Sequence, residues 1–392
     1  MILLDKPYVS EFLKETIKKY NLPVIKTPTA LDFIGNNGFL FLEEDAAIKM
    51  LKSNPETLIY TNSENAINWI VNNLGFTDLP VKVNLFKDKV KFRTLTKELN
   101  PGLFYQAIRL DDLRTISIKD FPKPFVIKPS VGFFSFGVYT VANDEAWEHI
   151  VNSIYEEVEA VKQIYPVEVL DTTTFIAEEF INGTEYAFDA YFDNDGNPVI
   201  LNILKHIFSS DADTSDRVYL SSADIIRENL ERFGNFLKQV GNLVGLKNFP
   251  MHVEVRVDDS GKIIPIEVNP LRFGGWCTTA DFTYHAYGFN SYHYLLTQQK
   301  PDWERILKDK EGKIFSIIVL NNSTSEKVEN INNFDYEKLC ACFEKPLFLS
   351  KADYKTYHIF GFVFAETKLQ NFSEIEYILK SDLREFITLE GE

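Results

Sequence analysis

The stretch MHVEVRVDDSGKIIPIEVNP, residues 251–270, decides the fold and the chemistry of this part of the chain. Two runs of alternating apolar and polar residues flank a turn at 259–261, which is typical of a β-hairpin. On this hairpin we expect Glu254 and Glu267 to share one face as diagonal neighbours, roughly 7–8 Å apart. With the amide oxygen of Asn269 they form a set of hard oxygen ligands that suits Mg²⁺ held against phosphates. The alternative is an ordinary charged hairpin face exposed to solvent.

A second motif, FVIKPSVGFFSFGVYTV, covers residues 125–141. It places Lys128 on a predicted strand, where a lysine can meet phosphate oxygens as a point charge. The loop that follows contains glycines, whose backbone N–H groups can cover phosphates. The loop leads into a strand and has no GKS or GKT sequence, which excludes a Walker loop and a Rossmann fingerprint. A plain β-hairpin is the alternative explanation.

The third motif, FIAEEFINGTEY, covers residues 175–186. It predicts an apolar strand that runs into a turn and then reaches Glu185. An adenine ring needs an apolar slot with one backbone carbonyl and one N–H on an exposed strand edge. Glu185 could accept hydrogen bonds from ribose hydroxyls, so this stretch is a candidate nucleoside site.

The remaining sequence predicts a chain of mixed α/β character. Residues 1–85 alternate short apolar strands with helical patterns, which indicates an open α/β sheet. Residues 10–20 are predicted to form a helix capped by Ser10, and residues 222–244 a long helix that ends near Gly245. Two further strands are predicted within residues 312–392.

The order and spacing of the three motifs resemble the ATP-grasp superfamily, of the carboxylate–amine ligase type. The motifs span residues 85–300, and a Rossmann-like domain usually precedes them in that family. The resemblance implies an α/β and α+β fold of ATP-grasp architecture, with an N-terminal Rossmann-like α/β domain, a central lid subdomain and a C-terminal mixed-sheet subdomain. The implied division of the chain is 1–87 for the N-terminal domain, 88–205 for the lid, 206–311 for the subdomain with the metal site, and 312–392 for an extension packed on it.

The resemblance also implies ATP contacts for individual residues. Adenine would be bound by the carbonyl of Glu179 and the N–H of Ile181, and the ribose by Glu185. The residues implied to contact or cover the phosphates are Lys89, Lys128, Ser135, Gly137 and Lys205. The loop departs from the family pattern because phenylalanines stand at 133, 134 and 136, where small residues are commoner.

The metal ligands implied by the resemblance are Glu254, Glu267 and Asn269, which would hold one or two Mg²⁺ ions, with Mn²⁺ as an alternative. Arg272 is implied to stabilise the transferring phosphate, with Lys128 and Lys205 as further catalytic cations. The sequence Asn-Pro-Leu-Arg brings Arg272 one residue later than the family's Asn-Pro-Arg, which puts its contact in question.

The implied reaction is ATP-dependent ligation. A small-molecule carboxylate attacks the γ-phosphate to give an acyl phosphate, and an amine then displaces phosphate to form an amide or a dipeptide. Two alternatives stay open, namely a kinase of the same fold that phosphorylates a hydroxyl, and a non-catalytic ATP-binding regulatory protein. Dimers are common in the family, so a homodimer is also left open.

Composition and net charge limit the classes of partner that we expect this protein to bind. The 392-residue chain carries a formal net charge of −16, which argues against binding to nucleic acid or to an anionic membrane. Its three cysteines do not form a disulfide framework, and no window is apolar enough for a membrane helix. We therefore expect a soluble cytoplasmic protein with small-molecule partners.

The aromatic stretch after the metal motif, residues 271–296, has two interpretations. Its aromatic side chains could line an apolar pocket on the acceptor side of the site, or they could pack in the core. The second is the commoner outcome for such a run. Neither substrate can be identified from these residues.

Overall fold

Strands β1–β4 form a parallel sheet in the order β3-β2-β1-β4, with helices between the strands, as the alternation of the first 85 residues predicts. The computed structural model describes residues 1–132, 137–161, 171–210, 213 and 215–389. Helix α1 begins as predicted, because the Ser10 side chain accepts a hydrogen bond from the Leu13 N–H. The elements are β1 Ile2–Leu3, α1 Glu11–Lys19, β2 Pro23–Ile25, α2 Pro28–Ile34, β3 Leu40–Leu42, α3 Glu44–Ser53, β4 Tyr60–Thr61, α4 Ile67–Asn73, α5 Leu79–Lys87 and α6 Lys89–Leu95.

A second sheet is antiparallel, in the order β5-β8-β6-β7, and has its own apolar core. Phe125 and Phe175 are fully buried in that core, together with Ile154 of helix α7. This unit contains the second motif and the start of the third. Its elements are β5 Tyr105–Arg109, β6 Phe125–Val131, β7 Tyr139–Val141, α7 Trp147–Val161 and β8 Asp171–Glu179.

The largest sheet runs β14-β13-β9-β11-β12, with β10 beside β9, and continues through three C-terminal strands in the order β15 (Lys313–Asn321), β18 (Ile359–Lys368) and β17 (Pro346–Lys351). This sheet was predicted as mixed, and its pairings within the described residues are antiparallel. Helix α8 covers one face, where Phe233 stacks on Phe188 with ring centroids 4.9 Å apart. The opposite face is therefore the one free to build a site. The elements up to the metal motif are β9 Thr184–Phe192, β10 Pro198–Ile200, β11 Leu204–Ile207, β12 Val218–Ser222, α8 Ala223–Val244, β13 Phe249–Val257 and β14 Ile263–Pro270.

The C-terminal residues contribute strands to this same sheet. Strands β15 and β18 pair antiparallel with each other, and β15 also pairs with β12. Strands β15, β17 and β18 thus extend the large sheet, whereas β16 pairs with β19 in a separate two-stranded sheet. The elements are α9 Thr278–Tyr287, α10 Ser291–Leu296, α11 Trp303–Leu307, β15 Lys313–Asn321, β16 Ile331–Phe334, α12 Tyr336–Cys340, β17 Pro346–Lys351, α13 Tyr354–Tyr357, β18 Ile359–Lys368, α14 Ser373–Lys380 and β19 Ile387–Leu389.

The first sheet packs against the large one through a continuous apolar core. Phe86 of α5 lies 5.8 Å from Phe249 of β13, and Tyr60 of β4 lies 5.1 Å from Phe273, both measured between ring centroids. This packing places α5 and α6 beside β14, so basic residues of the helices can reach the predicted metal motif. Among the helices that the structure describes, none is both long and apolar enough to cross a membrane.

Candidate active site

The carboxylates of the predicted metal motif face each other across β13 and β14. They lie directly opposite in register, and the prediction of a diagonal arrangement is wrong. Val255 pairs with Pro265 while Glu254 pairs with Glu267, so Ile266 is the extra residue of a β-bulge. A shift of one residue moves side chains to the other face of a strand. The bulge therefore brings Glu267 onto the face of Glu254, with Cβ atoms expected about 4.5–5.5 Å apart.

The two carboxylates differ in their electrostatic surroundings. Burial, and then the charges of Glu267 and Glu185, hold the pKa of Glu254 well above its usual range. Burial also acts to raise the pKa of Glu267, but Lys89 and Lys87 outweigh it and lower that pKa. Lys89 Nζ lies 3.1 Å from Glu267 Oε1. Burial and the neighbouring carboxylate thus disfavour the charged form of Glu254, and a cation bound between the two carboxylates would favour it.

The third predicted ligand, Asn269, lies on the same face as the carboxylates. It is buried and directly opposite His252, and its Oδ1 atom lies 3.5 Å from Lys87 Nζ. The His252 ring is held by Asp189, with Nδ1 2.8 Å from Oδ1, and its Nε2 lies 3.7 Å from Glu254 Oε1. The three predicted ligands thus share one surface with a histidine beside them.

Glu64, from the N-terminal domain, forms ion pairs with two basic side chains at this site. Its carboxylate is paired with Lys87 on one oxygen and with Arg272 on the other. Burial acts to raise the Glu64 pKa, but the charges of Lys87 and Arg272 lower it well below its usual range. Leu271 adopts a left-handed backbone, with φ of 64°, just before Arg272. The chain turns there, and Arg272 reaches the site although it comes one residue late.

Lys128 lies on β6 of the antiparallel lid sheet and is nearly fully buried. Its ammonium is paired with Glu178, and Arg93 Nε donates to the other oxygen of Glu178 at 2.7 Å. Burial acts to raise the Glu178 pKa, but Arg93 and Lys128 outweigh it and lower the pKa to about 2. Lys128 is therefore held in place by a charged carboxylate.

The predicted adenine hinge follows strand β8. The Glu179 N–H donates to the Phe104 carbonyl and its side chain accepts from the Phe104 N–H, both at 3.1 Å. The Ile181 carbonyl accepts from Arg256 Nη1 at 2.6 Å. These hydrogen bonds involve neither the Glu179 carbonyl nor the Ile181 N–H, which are the two groups assigned to adenine.

Glu185, the predicted ribose ligand, is held by two partners on the site face. Its Oε1 atom lies 2.9 Å from His206 Nδ1, and its Oε2 accepts from Arg256 Nε at 3.0 Å. Burial acts to raise the Glu185 pKa, but His206 and Arg256 outweigh it and lower the pKa. Glu185 is thus a charged acceptor fixed next to the hinge.

Lys205 does not reach the predicted phosphate site. It lies opposite Tyr186, whose ring packs on Phe233 of α8, so Lys205 belongs to the helix-covered face. The next residue, His206, lies on the site face, where its Nδ1 atom is 2.9 Å from Glu185 Oε1. The assignment of Lys205 as a phosphate contact and catalytic cation is therefore corrected.

The predicted phosphate-covering loop is described only in part. Ser135 lies outside the described residues. Gly137 has a φ of 63°, and its N–H donates to Glu157 Oε2 at 3.1 Å. An added Cβ at this position would lie 3.2 Å from the Pro129 ring, so a glycine fits here for both conformation and space.

Comparison with known families supports the interpretation of the motifs. A sequence model of the ATP-grasp domain matches residues 121–280, which includes Lys128, the hinge and the facing carboxylates. Residues 121–280 therefore have the sequence pattern of an ATP-grasp domain. No curated protein matches the sequence.

Solved structures share the ATP-grasp fold over the whole chain. An L-amino acid ligase from Bacillus licheniformis is 18% identical, with a TM-score of 0.69 and coverage of 100% of this chain and 98% of that one. An N5-carboxyaminoimidazole ribonucleotide synthetase from Thermotoga maritima is 14% identical, with a TM-score of 0.62 and coverage of 100% and 99%. The biotin carboxylase domain of a Hydrogenobacter thermophilus 2-oxoglutarate carboxylase, in complex with MgADP, is 13% identical, with a TM-score of 0.61 and coverage of 94% and 86%. The fold prediction is confirmed, including the Rossmann-like domain and the lid.

The predicted metal ligands are two carboxylates and one amide. Within residues 1–132, 137–161, 171–210, 213 and 215–389, no group of three or more His, Cys, Asp or Glu residues could hold a metal ion. A cation on Glu254, Glu267 and Asn269 would need further oxygen ligands. Phosphate oxygens are the ligands expected for Mg²⁺ at such a site.

Sequence reasoning missed the residues that hold the predicted ligands in place. Glu64 lies far from the motifs in sequence, and only the fold brings it to Arg272. Asp189 is fully buried and accepts hydrogen bonds from Asn202 and the Gly274 N–H. A charged residue inside the apolar strand AFDAYF was the available signal for Asp189. Glu64 gave no such signal.

The aromatic stretch after the metal motif is mostly core. The buried aromatic residues within it are Phe273, Phe282, Tyr287, Phe289 and Tyr292. Trp276 is only partly buried, and its ring stacks on Tyr8 with centroids 5.5 Å apart. Trp276 and Cys277 both have left-handed backbones. Such strain is often found next to functional sites, and here it follows the metal motif directly.

A buried acid of this stretch, Asp281, contacts the N-terminal domain. Its Oδ1 atom accepts from Ser10 Oγ and from the Tyr292 hydroxyl, each at 3.1 Å. Burial raises the pKa of Asp281 to about 7, against the opposing effect of these two bonds. In the folded state the acid therefore keeps its proton over a pH range where the unfolded chain loses it.

We expect Asp281→Asn to stabilise the protein above pH 7. The folded pKa lies above the unfolded one, so the wild type loses stability as pH rises from about 4 to about 7. Asparagine mimics the neutral acid, so the variant does not lose this stability. At pH 8 its free energy of unfolding should exceed that of the wild type by about 2 kcal/mol or more. Urea unfolding at pH 5 and pH 8 measures the free energy of unfolding, with Asp259→Asn in an exposed turn as the control. An equal effect of Asp281→Asn at both pH values would contradict the interpretation.

Proposed function

We propose that this chain is an ATP-dependent ligase that joins a small-molecule carboxylate to an amine and releases ADP and phosphate. The observation that carries the proposal is the pair of facing carboxylates, Glu254 and Glu267, with Lys89, Lys87 and Arg272 around it. Transfer of a phosphoryl group to a carboxylate crowds several negative oxygens together. It therefore needs concentrated positive charge of this kind.

Magnesium fits the donor set on the hairpin face. Glu254, Glu267 and Asn269 would hold one or two Mg²⁺ ions, with Mn²⁺ as the alternative because it prefers similar oxygen ligands. Burial, and then the charges of Glu267 and Glu185, raise the pKa of Glu254, and a cation bound on this face would oppose these effects. When bound, the cation supplies charge neutralisation for the phosphates.

The nucleotide is proposed to lie between the lid sheet and the large sheet. The Glu179 carbonyl and the Ile181 N–H bind adenine, and Glu185 accepts from the ribose hydroxyls in place of one of its present partners. Lys89 and Lys128 hold phosphate oxygens, while Ser135 and Gly137 cover them. Lid closure over the phosphates would exclude water, which protects an acyl phosphate from hydrolysis.

The proposed reaction has two steps. An oxygen of the substrate carboxylate attacks the γ-phosphorus, the bond to ADP breaks, and an acyl phosphate forms. The amine then attacks the acyl carbon, phosphate leaves with the acyl–oxygen electron pair, and the nitrogen loses a proton. Arg272, oriented by Glu64, stabilises the charge on the transferring phosphate and then on the departing one. Glu254 and Glu267 hold the cation and do not act as bases.

The remaining parts of the proposal concern the substrates and the state of the protein. The related structure from Bacillus licheniformis is an L-amino acid ligase, so amino acids are the first acids and amines to test. A homodimer, a cytoplasmic location and the division of the chain at residues 87, 205 and 311 stay predictions.

The test of the proposed function is ADP and phosphate release from Mg-ATP with pooled carboxylic acids and amino acids. We expect stoichiometric ADP and free phosphate that depend on a pool. ADP formed without free phosphate, together with a stable phosphate ester, would replace the ligase with a kinase. Absence of turnover with every pool, while Mg-ATP still raises the melting temperature, would favour a binding-only protein.

A further inference from the structure

One buried arginine, Arg93, contacts both the lid sheet and the edge of the large sheet. It lies in the last turn of helix α6 and is 2% exposed. Lys89 precedes it by four residues, so the two side chains leave the same face of the helix. Lys89 Nζ lies 3.1 Å from Glu267 Oε1, on a predicted metal ligand. The face of α6 that contains Arg93 is therefore turned toward the ATP site.

The first contact of Arg93 is with the lid sheet. Its Nε atom donates to Glu178 Oε2 at 2.7 Å, and the other oxygen of Glu178 is paired with Lys128. Val126 of β6 lies opposite Glu178 of β8, and Lys128 follows Val126 two positions later on the same face. This face is opposite the one that contributes Phe125 to the lid core. Arg93 thus fixes the carboxylate that holds Lys128.

The second contact of Arg93 is with the backbone of the large sheet, where Nη1 donates to the Pro265 carbonyl. Strand β14 is the last strand of that sheet, and its open side has no neighbouring strand among the described residues. Backbone groups on such an edge need partners from elsewhere. Pro265 directly precedes Ile266, the extra residue of the bulge that brings Glu267 opposite Glu254. Arg93 therefore holds the backbone next to the point that sets the place of Glu267.

A guanidinium suits this double contact better than an ammonium. Its nitrogens lie in one plane at fixed angles, so bonds at Nε and Nη1 fix the distance between their two acceptors. Those acceptors are the Glu178 carboxylate and the Pro265 carbonyl. They belong to the two sheets between which the nucleotide is proposed to lie. A lysine at position 93 would keep the charge but lose this fixed geometry.

We propose that Arg93 is a positioning residue of the ATP site. Through Glu178 it sets the position of Lys128, which is proposed to hold phosphate. Through the Pro265 carbonyl it sets the position of Glu267, which is proposed to hold the cation. It acts through these groups and not by contact with the nucleotide. The inference rests on the ATP site of the proposed function but not on the ligase reaction.

The test of the lid contact is the affinity for ADP in EDTA, measured by isothermal titration calorimetry on the full-length protein. Arg93→Lys keeps a cation beside Glu178, and we expect it to weaken ADP binding about tenfold, as is typical when the partner that orients a binding residue is lost. Lys128→Met should also weaken ADP binding. Added to Lys128→Met, Arg93→Lys should weaken it by no more than about twofold further, because the residue through which Arg93 acts is gone.

The test of the bulge contact is the affinity of the protein–ADP complex for Mn²⁺, measured by electron paramagnetic resonance of the free ion. Arg93→Lys should weaken Mn²⁺ binding about tenfold, since the backbone beside Glu267 loses its fixed partner. Glu267→Gln should also weaken Mn²⁺ binding. Added to Glu267→Gln, Arg93→Lys should have no more than about a twofold further effect. Arg93→Gln replaces the lysine variant in both cycles if the latter does not fold.

Arg217→Lys is the matched control for changing a buried arginine. Arg217 is 4% exposed, and its Nη1 atom also donates to a strand carbonyl, that of Val319, at 3.1 Å. This variant should change neither affinity by more than about twofold. Unchanged affinities in the Arg93 variants, or losses that multiply independently in either cycle, would overturn the proposal. Absence of ADP binding by the wild type would contradict the proposed function as well, whereas independent losses in a wild type that binds ADP would contradict only the role of Arg93.

Discussion

Glu267→Gln should reduce substrate-dependent ADP release by at least about 10³-fold while the fold stays intact. The substitution keeps the shape of the side chain but removes the charge that faces Glu254 and pairs with Lys89. The proposed cation would lose one of its two carboxylate ligands. ADP release measures the loss, and the melting temperature should change by no more than about 4 °C.

The matched control for this variant is Glu366→Gln. Glu366 lies on the same large sheet, in β18, and its Oε2 is paired with Lys345 at 2.8 Å. The Glu366→Gln variant removes a glutamate–lysine ion pair away from the hairpin face. ADP release by this variant should stay near that of the wild type. Near-normal ADP release by Glu267→Gln would contradict the assignment of Glu267 as a metal ligand.

Arg272→Met should lower kcat by about 10²–10³-fold and leave KM for ATP within about threefold. The proposed role of Arg272 is to stabilise charge that develops on the transferring phosphate, so its loss affects the transition state more than ATP binding. Arg272→Lys should recover part of the rate, since it keeps the charge but loses the planar fork that pairs with Glu64. Steady-state kinetics on the three proteins measures both parameters.

Arg217→Met is the control for removing a buried arginine. Arg217 is 4% exposed against 8% for Arg272, and its Nη1 atom donates to the Val319 carbonyl at 3.1 Å, in the C-terminal part of the sheet. It should lose stability without a comparable loss of kcat. A rise in KM for ATP with unchanged kcat in Arg272→Met would be inconsistent with the proposed role.

Local sequence signals predicted the secondary structure of the site well. The alternation in residues 251–270 fixed which stretch forms the hairpin, and Ser10 capped its helix as expected. The register was harder to predict, because a bulge at Ile266 shifts the pairing by one residue. The identity of the two carboxylates was nonetheless apparent from their place in the motif.

Lys205 shows how one residue changes a predicted site. Ile200 of β10 pairs with Ala190, whereas Leu204 of β11 pairs with Ala187. Continued in the β10 register, the strand would have placed Lys205 opposite Glu185 on the site face. The break between the strands adds one residue, and neighbouring residues of a strand point to opposite faces. The lysine therefore lies under α8.

Contacts between distant parts of the chain could not be predicted. Glu64 meets Arg272 across 208 positions, and Lys87 meets Asn269 across 182. These contacts depend on how the N-terminal domain packs on the large sheet, through Phe86 and Tyr60. They explain why sequence reasoning missed Glu64 and Lys87, which contact the predicted site residues.

The most direct test of the proposed ligase is transfer of oxygen from the acid to phosphate. Substrate acids labelled with ¹⁸O in the carboxylate are supplied with Mg-ATP and the amine pool, and the released phosphate is analysed by mass spectrometry. If an acyl phosphate forms and the amine displaces it, each phosphate should contain one ¹⁸O atom. Unlabelled phosphate released together with ADP and the joined product would contradict activation of the carboxylate by phosphorylation.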